Sequence, residues 1–189
     1  MSTATTPSAT KLTAADLLAM PDGKNYELID GHLEAKNVSY ESSRIATRLA
    51  TFLTLHCDKF KLGPVLGSDV GYQCSAHDSQ KIRRADVSFF SLQRLPPDKP
   101  DMGFIPFPPD LAVEVVSPND LVREVNNKVH DYLEAGVRLV WVIDPTTGQV
   151  LVYNSTGGKI LSSQDELSGE VVIPEVRLKI SELLRKPGE

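Results

Sequence analysis

Two cysteines in 189 residues, Cys57 and Cys74, with no CxxC pair, leave no material for a disulfide framework or a cysteine-built zinc site. They read as free, reduced thiols. Histidine is equally sparse: of the four, His32, His77 and His130 have no ligand-like spacing, and His56 falls on the apolar face of a helical pattern, where packing and a hydrogen bond suit it better than catalysis. No apolar run approaches the roughly 18 residues that would span a membrane, and the opening MSTATTPSATK has neither the positive start nor the apolar stretch of a signal peptide. Cytoplasmic location without membrane association is therefore the expectation. Positive charge is also in deficit. With a net charge of −5, the chain is not built to coat nucleic acid through many lysine and arginine contacts to phosphate, although a local basic groove remains open to it. There is no internal repeat and no recognisable base-reading module.

What is present is the composition of a globular protein, 41% apolar and 24% charged. At this length a single core buries about 70% of the surface the unfolded chain exposes, so one domain over residues 13–189 is expected, after a flexible leader over residues 1–12.

Along the chain, Thr13 with Asp16 three residues later makes a capping-box variant for a short helix ending near Pro21. In YELIDGHLEAKN, Asp30 and Gly31 separate two short alternating runs, the pattern of a tight hairpin. From Glu41, apolar residues at Ile45, Leu49, Phe52 and Leu53 recur at helical spacing until Gly63 and Pro64. Strands are expected over Val65–Gln73, Ala85–Phe90 and Leu111–Ser117. The six prolines of LQRLPPDKPDMGFIPFPPD forbid regular structure between the last two. A helix capped by Asn119 or Asp120 and stopped at Gly136 follows, then the buried strand RLVWVID, a turn over Asp144–Gly148, and further strands leading to the closing PEVRLKISELL. The order predicts an α/β domain with a mixed sheet covered by helices.

Glu114 interrupts the apolar run DLAVEVVSPND at its centre. An ionised carboxylate without a partner there costs several kcal/mol, so it is exposed at an edge, paired with a cation, or bound to a metal. Asp86 lies in KIRRADVSFF. If its strand neighbours that of Glu114, the two acids face one point and can hold a hard divalent cation such as magnesium, with waters and phosphate oxygens completing the shell. The alternative for Asp86 is a salt bridge to Lys81, Arg83 or Arg84 at an exposed strand end. On the following helix, Lys128 falls roughly 65° from the middle of the apolar stripe, the closest of its charged residues, and reaches back towards the sheet. It could orient an attacking water and offset phosphate charge; otherwise its stem simply covers apolar surface.

RADVSFF, PPDLAVEVVSPND, the later lysine and YLEAGVRLVWVIDP together resemble a large bacterial family of restriction-endonuclease-like proteins of unknown function, a branch of the PD-(D/E)XK nuclease superfamily. The resemblance runs from about YELIDG to the closing strands. It implies a restriction-endonuclease-like core with added β-hairpins, and Asp86 and Glu114 as ligands of magnesium or manganese, with the carbonyl of Val115 as a further ligand. Glu27 in YELID matches the family pattern as an acid that helps with metal or water. The implied activity is hydrolysis of phosphodiester bonds in nucleic acid, with DNA the expected substrate; the acidic net charge calls for local engagement of the substrate or for a homodimer that builds a joint groove. Three positions depart from the pattern. Ala85 replaces the motif proline, Val116 replaces the motif lysine, and Ser42 and Ser43 stand where relatives often carry histidine. Since valine cannot position water, activity requires Lys128 to have taken over that work. The competing class is a nuclease fold that has lost its chemistry and serves as a nucleic-acid-binding or protein-interaction module.

Overall fold

The computed structural model describes residues 11–75, 78, 80–98 and 103–189. Most of the expected leader and His77 lie outside the described residues. Leu12 is tied down, its N–H donating to the Gly31 carbonyl at 3.0 Å.

Helix α1, Ala14–Ala19, starts on the Thr13–Asp16 capping box. The hairpin β1, Tyr26–Ile29, and β2, His32–Ala35, turns through Asp30 (φ 52°) and Gly31 (φ 83°). Two consecutive left-handed residues give the turn whose twist matches its strands. Helix α2, Tyr40–Phe60, is capped by Ser39 and buries Ile45, Leu49, Leu53 and Cys57, one residue per turn. Then come β3, Val65–Gly67; β4, Tyr72–Gln73; β5, Ile82–Arg83; β6, Val87–Phe89; and β7, Leu111–Val115. Helix α3, Val122–Glu134, leads to Gly136 (φ 90°) and β8, Leu139–Asp144. The chain closes with β9, Gln149–Asn154; β10, Gly157–Leu161; β11, Glu166–Ser168; β12, Arg177–Lys179; and α4, Ile180–Leu184.

The central sheet has six strands in the order β10-β9-β8-β7-β6-β3, antiparallel except for the parallel pair β7–β8 that α3 connects. This is the mixed sheet flanked by helices that the sequence predicts. Odd-numbered residues of β7, Leu111, Val113 and Val115, face α2 in the larger core, together with Trp141 and Ile143 of β8. Ala112, Val140 and Val142 face the other way, onto Val129 and Tyr132 of α3. Burial on both faces is why β7 and β8 read as continuous apolar runs.

The expected strand Val65–Gln73 proves to be split, and a further short strand precedes the expected Ala85–Phe90. Val65–Gln73 breaks at the turn residues Ser68–Gly71, giving β3 to the central sheet and β4 to a second, four-stranded sheet in the order β2-β1-β5-β4. KIRRADVSFF divides in the same way between β5 and β6, so that Arg84, Ala85 and Asp86 carry the chain from one sheet to the other. The α3 cap also differs: Asp120 lies ahead of the helix, accepting from the Ser117 N–H at 2.7 Å and from Asn37 Nδ2 at 2.9 Å, and Leu121 occupies the capping position.

Candidate functional site

The register Val87↔Val113 and Ser88↔Ala112 puts Asp86, one residue before β6, across from Glu114 on the same face of the sheet. The Asp86 N–H donates to the Val113 carbonyl at 2.9 Å, and its Oδ2 accepts from the Val115 N–H at 2.8 Å. Val115 thus meets Asp86 through its backbone, while its side chain packs in the α2 core.

Glu114 is 7% exposed, and both its oxygens are engaged by α3. Lys128 Nζ lies 3.0 Å from Oε2, and the Tyr132 hydroxyl donates to Oε1 at 2.5 Å. Lysine and tyrosine four positions apart lie one above the other on a helix, so one face of α3 grips the carboxylate twice. Lys128 also lies 3.6 Å from Glu27 Oε2. Glu27, Glu114 and Lys128 line one cleft of about 250 Å³ together with Glu34, Asp120 and Glu124.

Glu27 is 2% exposed, although an acid on a two-stranded hairpin is ordinarily solvated. Incorporation of the hairpin into the four-stranded sheet accounts for the difference. Its Oε1 accepts from the Arg84 N–H at 2.6 Å and its Oε2 from Arg83 Nη1 at 2.9 Å. Arg83 is likewise buried rather than at a solvated strand end, because it bridges Glu27 to Asp131 on α3, with Nε and Nη2 donating to Asp131 Oδ2 at 2.9 and 2.7 Å. Lys81 completes the group at 2.8 Å from Asp131 Oδ1, and Arg84 donates to the Tyr26 carbonyl. The three basic residues before Asp86 are therefore committed elsewhere, and none of them forms a salt bridge with it among the described residues.

Burial pushes the Glu114 carboxyl up to about 7; Lys128 and the Tyr132 hydroxyl pull it down, while the neighbouring Asp86 and Glu27 charges push it further up. Burial also raises Asp86, against the Val115 N–H, Lys36 and Lys128. Glu27 goes the other way. Burial opposes its ionisation, but the sum of Lys128, Arg83 and the Arg84 N–H holds it below its usual value. Lys128 stays charged because Glu114 and Glu27 outweigh its desolvation.

Sequence reasoning missed three contributors. In the sequence Tyr132 reads as one more member of the apolar stripe of its helix, although its i+4 spacing from Lys128 is a usable signal. Asp131 and Lys36 carried none. Lys36, just past β2, is buried enough that its pKa is lowered despite the carboxylates of Asp86, Glu114 and Glu27. Ser42 lies 2.9 Å from the Ser117 hydroxyl and belongs to the α2 capping network. His56 Nε2 lies 2.8 Å from the Pro174 carbonyl, a packing role. Among the described residues no helix is long and apolar enough to cross a membrane.

Asp86 and Glu114 offer hard oxygen donors of the kind magnesium and manganese take, completed by water and phosphate. Among the described residues no group of three or more acidic, histidine or cysteine side chains is placed to hold a metal ion.

The chain is similar in structure to a protein described as a putative nuclease belonging to DUF820 from Anabaena variabilis ATCC 29413. The TM-score is 0.80 at 18% identity, over 92% of this chain and 97% of the other. That likeness establishes the restriction-endonuclease-like fold. No curated protein matches the chain. The family model Uma2, described as "Putative restriction endonuclease", matches residues 14–181. With nearly the whole chain matched, from α1 to the start of α4, the protein belongs to the Uma2 family.

Proposed function

We propose that this protein is a metal-dependent endonuclease that hydrolyses phosphodiester bonds of DNA, with Asp86 and Glu114 holding magnesium or manganese. The observation that carries this reading is the approach of Lys128 to within 3.0 Å of Glu114. It supplies from α3 the ammonium that Val116 cannot. The family description and the nuclease-like neighbour point to the same class.

A divalent cation at these carboxylates would lower the pKa of a water and offset charge on the phosphate. The Val115 carbonyl would serve as an additional oxygen ligand. Lys128 orients the attacking water and stabilises negative charge building on the phosphate oxygens. Tyr132 fixes the rotamer of Glu114 through its hydroxyl, and Glu27, pinned by Arg83 and Arg84, holds Lys128 from the other side. The acidic net charge favours a homodimer whose joint groove concentrates the few available basic groups on DNA. The two buried free thiols are in keeping with a cytoplasmic enzyme.

The test is cleavage of supercoiled, linear, single-stranded and branched DNA with magnesium or manganese, comparing wild type with Glu114→Gln, alongside manganese binding by each protein. The amide oxygen can accept from Lys128 while the NH2 donates to the Tyr132 hydroxyl, and an unchanged unfolding midpoint verifies the fold. Expected are cutting by the wild type, a loss on the order of 100-fold or more in the variant, and weaker manganese binding. Equal cutting by both proteins would remove Glu114 from the site. Absence of cutting, with equal manganese binding, would favour the degenerate binding module that Val116 suggests.

A further inference from the structure

Lys36 leaves β2 with its backbone N–H donating to the Asn25 carbonyl at 2.9 Å, and its Nζ donates to the Ser68 carbonyl at 3.1 Å. The stem is thereby held at both ends. Its side chain borders a second cleft, of about 520 Å³, which runs along α2 and has Asp86, Ser42 and Gly67 in its wall. Asn37 lines both this cleft and the one containing Glu114 and Lys128, so the two adjoin at the site.

The two lysines have different company. Lys128 has carboxylates at 3.0 and 3.6 Å, whereas the hydrogen-bond partner of Lys36 is a neutral carbonyl. An ammonium carries three donors. The charged groups facing Lys36 are Asp86, Glu114 and Glu27, with Lys128 opposing them, and their pull does not offset its burial. A partly desolvated ammonium whose hydrogen-bond partner is a neutral carbonyl has donors left for an incoming phosphate.

On the nuclease reading given above, we propose that Lys36 is a second catalytic lysine, one that contacts a non-bridging oxygen of the phosphate being cleaved from the α2 side, opposite Lys128. The α2 cleft then receives the sugar–phosphate backbone on one side of the scissile bond. Its α2 side presents the small uncharged side chains of Ser43, Thr47, Ala50 and Thr51, and among the described residues its one lining carboxylate is Asp86 of the site itself. This division of labour explains how a site can work with so few basic residues. Lys128, paired with Glu114 and Glu27, serves chiefly the water, and Lys36 adds a second cation at the phosphate.

The experiment compares wild type, Lys36→Gln and Lys36→Arg in two measurements: cleavage of supercoiled DNA with magnesium, and the salt dependence of binding to a short duplex with calcium in place of magnesium. Glutamine keeps a polar donor of shorter reach without the charge, and an unchanged unfolding midpoint verifies the fold. Expected are a drop in cleavage on the order of 100-fold in Lys36→Gln, a binding slope in log[salt] shallower by about 0.9, the loss of one phosphate contact, and partial recovery of both in Lys36→Arg. A wild-type rate in Lys36→Gln, or a lowered rate with an unchanged salt slope, overturns the proposal while leaving the nuclease reading intact. A wild type that neither binds nor cuts DNA overturns the nuclease reading itself, and this proposal falls with it.

Discussion

Replacing Arg83 with methionine removes the cation that joins the four-stranded sheet to α3. The side chain is 2% exposed and meets three carboxylates: Glu27 at 2.9 Å, Asp131 at 2.7 Å and Glu34 at 3.0 Å. Glu34 has a side chain 48% exposed and is resolvated at little cost. Glu27 and Asp131 are not. Removing one partner of a buried ion pair costs about 3–5 kcal/mol, because the remaining charge stays desolvated. Here the loss is moderated by what remains, the Arg84 N–H and Lys128 for Glu27 and Lys81 for Asp131. We expect Arg83→Met to lose about 3 kcal/mol at pH 7 in urea unfolding, or roughly 6–12 °C in Tm for a chain of this size. The pH dependence supplies a second check. Glu27 is held below its usual value of 4.5, so its contribution is present above that pH and lost as the pH falls. Without Arg83 much of that pull is gone, and the gap between wild type and variant should narrow below pH 4.5. A loss under about 1 kcal/mol at pH 7, or a gap that widens on acidification, would refute the argument that this arginine compensates buried charge.

Tyr132→Phe leaves Glu114 Oε1 without its donor, for an expected cost of about 1.5–3 kcal/mol in unfolding free energy. The hydroxyl pulls the Glu114 carboxyl down, so its removal should move the carboxyl further up, as read by the ¹³C shift of that side chain against pH. A neutral effect on both would remove Tyr132 from the role assigned here. Burial pushes the Cys57 thiol up to about 11 and raises Cys74 as well, and each is 1% exposed. A thiol-specific disulfide reagent at pH 8 should therefore react slowly with the native protein and promptly with two thiols after denaturation. Prompt reaction of either thiol in the native state would contradict that burial.

Much of the local structure was legible because it rests on neighbours in the chain. The Thr13–Asp16 box, the left-handed pair Asp30 and Gly31, and the spacing of Ile45, Leu49 and Leu53 each concern residues a few positions apart. Leu111–Val115 declared itself buried by its apolar content, and for the same reason Glu114 stood out. The helical angle of Lys128 gave its direction, and only 14 residues separate it from Glu114. The structure alone decided what depends on distant pairing. Nothing within KIRRADVSFF marks where it passes from one sheet to another, since the partners that divide it, β1 and β4 for β5, β3 and β7 for β6, are recruited from elsewhere. Arg83 and Glu27 lie 56 residues apart and each reads as a surface charge; they are buried because each compensates the other. Lys36 and Asp86 likewise become neighbours only once the hairpin is docked against the central sheet. Local pattern records the propensity of a segment and its apolar face, whereas the burial of a charge is decided by partners that only the assembled sheets bring to it.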